Sequence, residues 1–213
     1  MRPRTLALAA TAGTLGAAYW WRTHPSPCPY WQRFWLAAPH PGITRDRLVE
    51  LLDPRPGERI LEVGPGTGYY SFDVADRLGS EGRLELFDIQ QQMLDHVVAI
   101  AAEREVTNMT PTQGDAQSLP FADASLDAAF MVTVLGEIPD PEAGLRELAR
   151  VLKPGGRLVI GELFGDPHYV SPGSMRASAG RAGFEADGKS GNPLAFFARF
   201  ARPSRPSRPS RPS

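Results

Sequence analysis

Short apolar runs alternate with longer stretches of helical spacing along the middle of the chain. Residues 60–63, 83–88 and 128–134 are rich in β-branched, aromatic and leucine side chains and bounded by turn residues, the mark of buried strands, with a weaker run at 109–113. Between them, 69–78 and 90–104 predict helices, the second with Met93, Val97, Ile100 and Ala101 on one face. Ahead of the first strand, Thr44 caps a short helix carrying Leu48, Leu51 and Leu52, which Asp53-Pro54-Arg55-Pro56-Gly57 ends. Asp140-Pro141 opens a helix running to about Leu152, and Lys153-Pro154-Gly155-Gly156 predicts a sharp turn into a strand at 157–162. Ser171-Pro172 starts a last helix ending at Gly183. Residues 184–189 and 194–200, joined through Gly191-Asn192-Pro193, predict a hairpin. Repeated strand–helix units imply a doubly wound α/β fold: a mostly parallel sheet, helices on both faces, and antiparallel strands at one edge.

The two ends depart from this rhythm. Thr5 to Trp21 contains no charged residue, follows Arg2 and Arg4, and closes on Tyr19-Trp20-Trp21-Arg22. As a helix it would be about 25 Å long, slightly short of a ~30 Å hydrocarbon core, with basic and aromatic flanks of the interfacial kind. Residues 1–22 are therefore expected to anchor the chain, with a soluble Ala-rich helix and a cleaved signal as the other readings. Residues 23–43 form a linker whose aromatics, Tyr30, Trp31, Phe34 and Trp35, lie at a bilayer, over an active-site mouth or in plain core packing. The domain proper is expected at 44–201. The repeat Arg-Pro-Ser over 202–213 has no apolar residue but proline and is expected to be a disordered tail. A net charge of −1 gives no electrostatic argument for nucleic acid, and the single cysteine, Cys28, excludes an intramolecular disulfide framework and suits a reducing compartment. The expected placement is at a membrane with the domain on the cytoplasmic side, the alternative a cytoplasmic chain. Oligomeric state is not legible.

Chemistry concentrates at the carboxyl ends of consecutive strands, where open α/β sheets bind ligands. Gly64-Pro65-Gly66-Thr67-Gly68 lets backbone N–H groups approach a ligand with no Cβ in the way. Asp88 ends the second strand about twenty residues on, where a carboxylate accepts hydrogen bonds from ribose hydroxyls. Gly114-Asp115-Ala116 follows the third strand, and Asp115 suits an exocyclic amine with the Ala116 N–H facing a ring nitrogen. Each has a plain structural reading: a tight turn, a solvated strand end, a turn residue. The dinucleotide fingerprint needs glycine or alanine where Tyr69 stands, and no Gly-Lys-Ser/Thr follows for a P-loop, so the turn suits a ligand without a diphosphate. The histidines show no metal spacing.

Taken together, Glu62-Val63-Gly64-Pro65-Gly66-Thr67-Gly68, Asp88, Gly114-Asp115-Ala116 with Leu119-Pro120-Phe121, Leu126 to Phe130 and Leu152 to Leu158 resemble class I S-adenosylmethionine-dependent methyltransferases of the small-molecule, quinone and sterol branch. The resemblance covers about 44–200. It implies a seven-stranded Rossmann-like sheet with a reversed last strand, S-adenosyl-L-methionine as cofactor, and a small or lipid-like methyl acceptor. It also implies that Glu62, Gly64, Gly66 and Gly68 hold the methionine and ribose portion and that Asp88 binds the ribose. Ile89 would pack on adenine, Asp115 and Ala116 read its edge, and Thr133 border the transferring methyl. Relatives often carry histidine after the fourth strand; this chain has Gly136-Glu137, leaving Glu137 and His168 as candidates for the acceptor side. A non-catalytic cofactor-binding protein of the same fold is the alternative.

Overall fold

The computed structural model describes residues 26–32 and 42–204. The expected anchor at 5–21, most of the linker and the tail beyond Ser204 lie outside the described residues. Among those described, no helix is long and apolar enough to cross a membrane.

Seven strands form one sheet: β1 (Arg59–Val63), β2 (Arg83–Asp88), β3 (Met109–Gln113), β4 (Leu126–Val132), β5 (Leu152–Leu163), β6 (Glu185–Asn192) and β7 (Ala195–Ala201), in the order β3-β2-β1-β4-β5-β7-β6. The first five run parallel, and β7 lies antiparallel between β5 and β6, as the hairpin pattern required. The helices are α1 (Arg45–Leu52), α2 (Ser71–Leu78), α3 (Gln91–Glu103), α4 (Pro141–Val151) and α5 (Pro172–Arg181).

Strand periodicity decides which helices cover which face. Ile60, Leu84, Leu86, Ala128 and Phe130 pack with Leu48 and Leu52 of α1, Val74 and Leu78 of α2, and Leu94 and Val97 of α3. Their alternates Leu61, Phe87, Ala129 and Met131 pack with Leu145 and Leu148 of α4 and Met175 and Ala179 of α5. Caps fix the helix starts. The Asp140 carboxylate accepts the Glu142 and Ala143 N–H groups at 3.1 and 3.0 Å, and Ser171 Oγ accepts that of Ser174 at 3.2 Å, each followed by proline in the first turn.

Two details differ from the pattern. Lys153-Pro154-Gly155-Gly156 is an irregularity within β5, because the sheet pairing shifts from Leu126–Leu152 to Ala128–Arg157. It stays in the sheet because Gly155 N–H donates to Arg202 O, and Arg202 N–H to Gly156 O. The hairpin turns at Pro193-Leu194, since Asn192 Oδ1 accepts the Leu194 and Ala195 N–H groups and holds Gly191 and Asn192 in β6.

Candidate functional site

Between β1 and β4 the strand order reverses, and a cavity opens there at the carboxyl ends of the strands. Its volume of about 190 Å³ is more than ten times the roughly 10–15 Å³ one water centre needs. A second cavity, beside α5 and the β6–β7 hairpin, is only about 20 Å³, room for a water or so.

Glu62 forms the floor. Strand alternation sends it to the face α2 covers, so it is 2% exposed, and its Oε2 has no hydrogen-bond partner among the described residues. Burial pushes its carboxyl up to about 8; the Ser71 hydroxyl opposes this and the Asp88 charge adds to it. An unpaired carboxylate oxygen facing a cavity demands a donor, preferably a cation.

The glycine turn supplies one wall. Gly64 has φ +71° and donates its N–H to Phe87 O at 2.8 Å; a Cβ there would lie 2.4 Å from Val134 Cγ2. Gly66 lines the cavity, whereas Gly68 does not: its φ of +80° turns the chain into α2 beneath Phe72 and Val97. Tyr70 follows, and its hydroxyl donates to Ile43 O at 2.6 Å.

Asp88 stands at the end of β2, buried, with Oδ1 accepting the Gln90 N–H at 2.8 Å; burial raises its carboxyl to about 6 against the pull of the Gln90 and Ile89 amides. Ile89 lines the cavity and is half exposed. Asp115 and Ala116 lie on the rim, where the Asp115 carboxylate accepts the Gln117 backbone N–H and both of its oxygens accept from Gln117 Nε2. The turn role considered from sequence is therefore present alongside its place in the cavity. Thr133 has φ +55°, an outlier for a β-branched residue costing about 1–3 kcal/mol. Its N–H donates to Gly161 O at 2.9 Å and its Oγ1 to Val132 O at 2.8 Å, which hold the strained residue at the end of β4 beside the cavity.

On the opposite side Glu137 lines the cavity, and burial, with Asp166 and Asp88 nearby, pushes its carboxyl up to about 8 although the Cys28 N–H donates to it. His168 does not line the cavity. It is buried against the Glu137 turn, so close that a Cβ on Gly136 would overlap its carbonyl oxygen. Sequence reasoning missed Pro27 and Cys28. This short segment, with the 3-10 turn Tyr30–Gln32 after it, straps the mouth: Gln90 Nε2 donates to Cys28 O at 3.0 Å. Only the aromatics at 30–35 hinted at such a cover. Among the described residues, no Lys, Arg or His lines the cavity and no group is arranged to hold a metal.

A family model described as Methyltransferase domain matches residues 60–156, the span of the glycine turn, Asp88, Asp115, Thr133 and Glu137. Residues 60–156 thus resemble the methyltransferase domain of the class I S-adenosylmethionine-dependent methyltransferases. S-adenosyl-L-methionine is the cofactor that such a domain implies. The unpaired, buried Glu62 carboxylate and the purely acidic lining fit a cationic ligand of that kind.

Curated relatives include the ubiquinone/menaquinone biosynthesis C-methyltransferase UbiE of Cellvibrio japonicus, 38% identical over 121 residues, 56% of this chain and 48% of that protein. The demethylmenaquinone methyltransferase of Corynebacterium efficiens is 39% identical over 120 residues, 56% of this chain and 48% of the relative. The chain thus spans about half the length of the curated relatives it matches. Among solved structures, a methyltransferase from Aquifex aeolicus superposes with a TM-score of 0.70 at 20% identity, over 82% of this chain and 99% of that one. The [4+2]-cyclase SpnF does so with 0.67 at 21%, over 75% and 79%. At such identities these two speak for the fold alone.

Proposed function

We propose that the chain transfers a methyl group from S-adenosyl-L-methionine to a small, apolar, uncharged acceptor, with Glu137 as the proton acceptor. The observation that carries this is the convergence of Glu62, Asp88, strained Thr133 and Glu137 on one cavity, with no cationic side chain among the described residues of its wall. The cofactor, when bound, supplies a methyl group on a sulfonium leaving group already activated for in-line displacement. Glu62 accepts from the ammonium of the methionine portion, Gly64 and Gly66 let it approach the backbone, and Asp88 accepts from the ribose hydroxyls. Ile89 packs on the adenine ring, Asp115 and Ala116 read its edge, and Thr133 borders the methyl.

The chain's remaining task is positioning, desolvation and removal of one proton. Val134, Ile138, Pro139 and Ile43 give the lining an apolar character, and an anionic acceptor would meet carboxylates without a counter-charge. The names of the quinone-methylating relatives support an acceptor ring of that polarity. Glu137, raised to about 8, has the basicity a general base needs near neutral pH for an acceptor still protonated there.

Titration calorimetry tests the cofactor half. Asp88→Ala weakens S-adenosylmethionine binding roughly tenfold or more, as loss of charge-assisted bonds requires. An unchanged dissociation constant, or binding of NAD with neither adenosyl ligand bound, overturns the assignment. A screen with methyl-labelled cofactor across phenols, quinols and thiols tests the acceptor half. Glu137→Gln lowers turnover of a protonated phenol about a hundredfold and leaves S-adenosylmethionine affinity within about twofold. Cofactor binding without transfer to any acceptor favours the non-catalytic reading, and the cyclase among the fold neighbours shows that this fold also occurs in a protein named for another reaction.

A further inference from the structure

Large apolar side chains exposed among the described residues are few, and they are not scattered. Trp31 is 69% exposed, Phe164 62%, Leu194 57% and Ile89 52%, with Val98 on α3 the remaining one. Trp31 belongs to the strap over the cavity, Ile89 directly follows β2, and Phe164 directly follows β5. Leu194 precedes antiparallel β7, whose first residue, Ala195, pairs with Leu163, so it lies at the same end. The Phe164 N–H donates to Leu194 O at 2.7 Å, and the Phe164 ring packs edge-on against Tyr169 at 5.5 Å. Four strand positions separate β2 from β7 in the sheet, so at about 4.8 Å each these residues span roughly 19 Å around the mouth.

From this arrangement we infer that the rim formed by Trp31, Phe164 and Leu194, outside the cofactor-side Ile89, docks on a lipid bilayer, so that the cavity mouth opens onto the membrane surface and takes an apolar acceptor from it. The chain itself names the occupant. The uncharged run Thr5–Trp21 ends seven residues before Cys28, and even fully extended those residues reach only about 25 Å. No more than that length of chain separates the sequence Tyr19-Trp20-Trp21-Arg22 from the strap that Gln90 pins. Tyrosine, tryptophan and arginine are the residue types that settle at headgroup depth. A protein covering the same rim would cover the cavity mouth, whereas a fluid surface supplies the acceptor to it. The inference takes from the proposed function only that an acceptor enters here.

Hydrogen exchange of the full chain with and without phosphatidylcholine vesicles tests it. Vesicles are expected to slow exchange at least fivefold in peptides covering 28–32, 163–169 and 193–196, and not at the opposite sheet end, 79–83 and 104–108. Phe164→Ser/Leu194→Ser, both exposed positions, abolishes that protection while S-adenosylmethionine affinity stays within twofold; Trp31→Ser alone does so in part. Protection confined to residues 1–25 overturns the inference. So does protection that appears only when phosphatidylglycerol is present and survives the double substitution, which marks a charge contact. A dimer that the same substitutions dissociate, without vesicle protection, assigns the rim to a second copy and also overturns it. Cofactor binding in the same samples separates failure of this rim from failure of the methyl-transfer reading.

Discussion

Glu62→Gln separates what the site needs from what the fold tolerates. The carboxyl lies 2% exposed, and burial holds its proton until about pH 8, whereas in the unfolded chain it ionises near 4.5. Between these values the folded state binds a proton that the unfolded state has released, so stability falls as pH rises through the window. From pH 5 to pH 7.5 the penalty grows by about 3 kcal/mol at 1.36 kcal/mol per pH unit. Glutamine keeps the shape and never ionises. Its own buried amide carries a cost, but that cost is the same at both pH values and cancels. Urea unfolding of both proteins at pH 5 and 7.5 should therefore show the variant gaining about 3 kcal/mol on the wild type across the interval. Calorimetry on the same samples should show S-adenosylmethionine binding weakened roughly tenfold to a hundredfold, the value of a charged hydrogen bond. A stability difference that does not change with pH would refute a buried, proton-holding Glu62. Undiminished cofactor affinity would refute its role toward the ammonium.

Two further substitutions probe the frame of the site. Gly64→Ala places a Cβ 2.4 Å from Val134 Cγ2 at a φ of +71°, so it should cost about 1–3 kcal/mol in urea unfolding and at least tenfold in cofactor affinity; an unaffected dissociation constant would show that the turn does not approach the ligand. Arg157 donates to Leu52 O and Asp53 O at the end of α1 and pairs with both oxygens of Glu58. Arg157→Met leaves the half-buried Glu58 carboxylate only the Arg55 N–H and should destabilise by about 1.5–3 kcal/mol, while adding Glu58→Gln recovers part of the loss; no recovery in the double variant would count against the ion pair as the cause.

The cofactor half of the site was legible because its chemistry is written in short, contiguous pieces. A glycine turn between a strand and a helix, and an acid at the end of the next strand, carry their geometry with them, so Glu62, Gly64, Gly66, Asp88, Ile89, Asp115, Ala116 and Thr133 were found at the cavity. Gly68 belonged to the same motif and yet packs away from it, because spacing cannot tell a glycine that approaches a ligand from one that lets a helix begin under Phe72. The strain at Thr133 had no sequence signal, since a positive φ at a threonine is imposed by pairing with Gly161. The strap was illegible for a related reason: Pro27 and Cys28 reach the cavity through the Cys28 peptide group, whose bonds to Gln90 and Glu137 cross 62 and 109 positions of chain and do not depend on side-chain type.

This division also sets what the relatives can say. The matched span ends at Gly156, and the curated relatives align over about 120 residues. The strap, the β5 end and the β6–β7 hairpin lie outside the family match. There Glu162 is buried and accepts the Val170 N–H at 3.2 Å, and its carboxyl is raised to about 8 by burial, with Asp166 and Glu137 adding to it. Asp166 accepts the His168 N–H at 2.7 Å and is itself raised by burial. The Asp166 charge raises the proton affinity of both Glu137 and Glu162, and that of Glu137 raises Glu162 further. The groups that set the proton affinity of Glu137 thus include Asp166, which lies beyond the matched span, so this side of the cavity depends on residues for which the family match gives no counterpart.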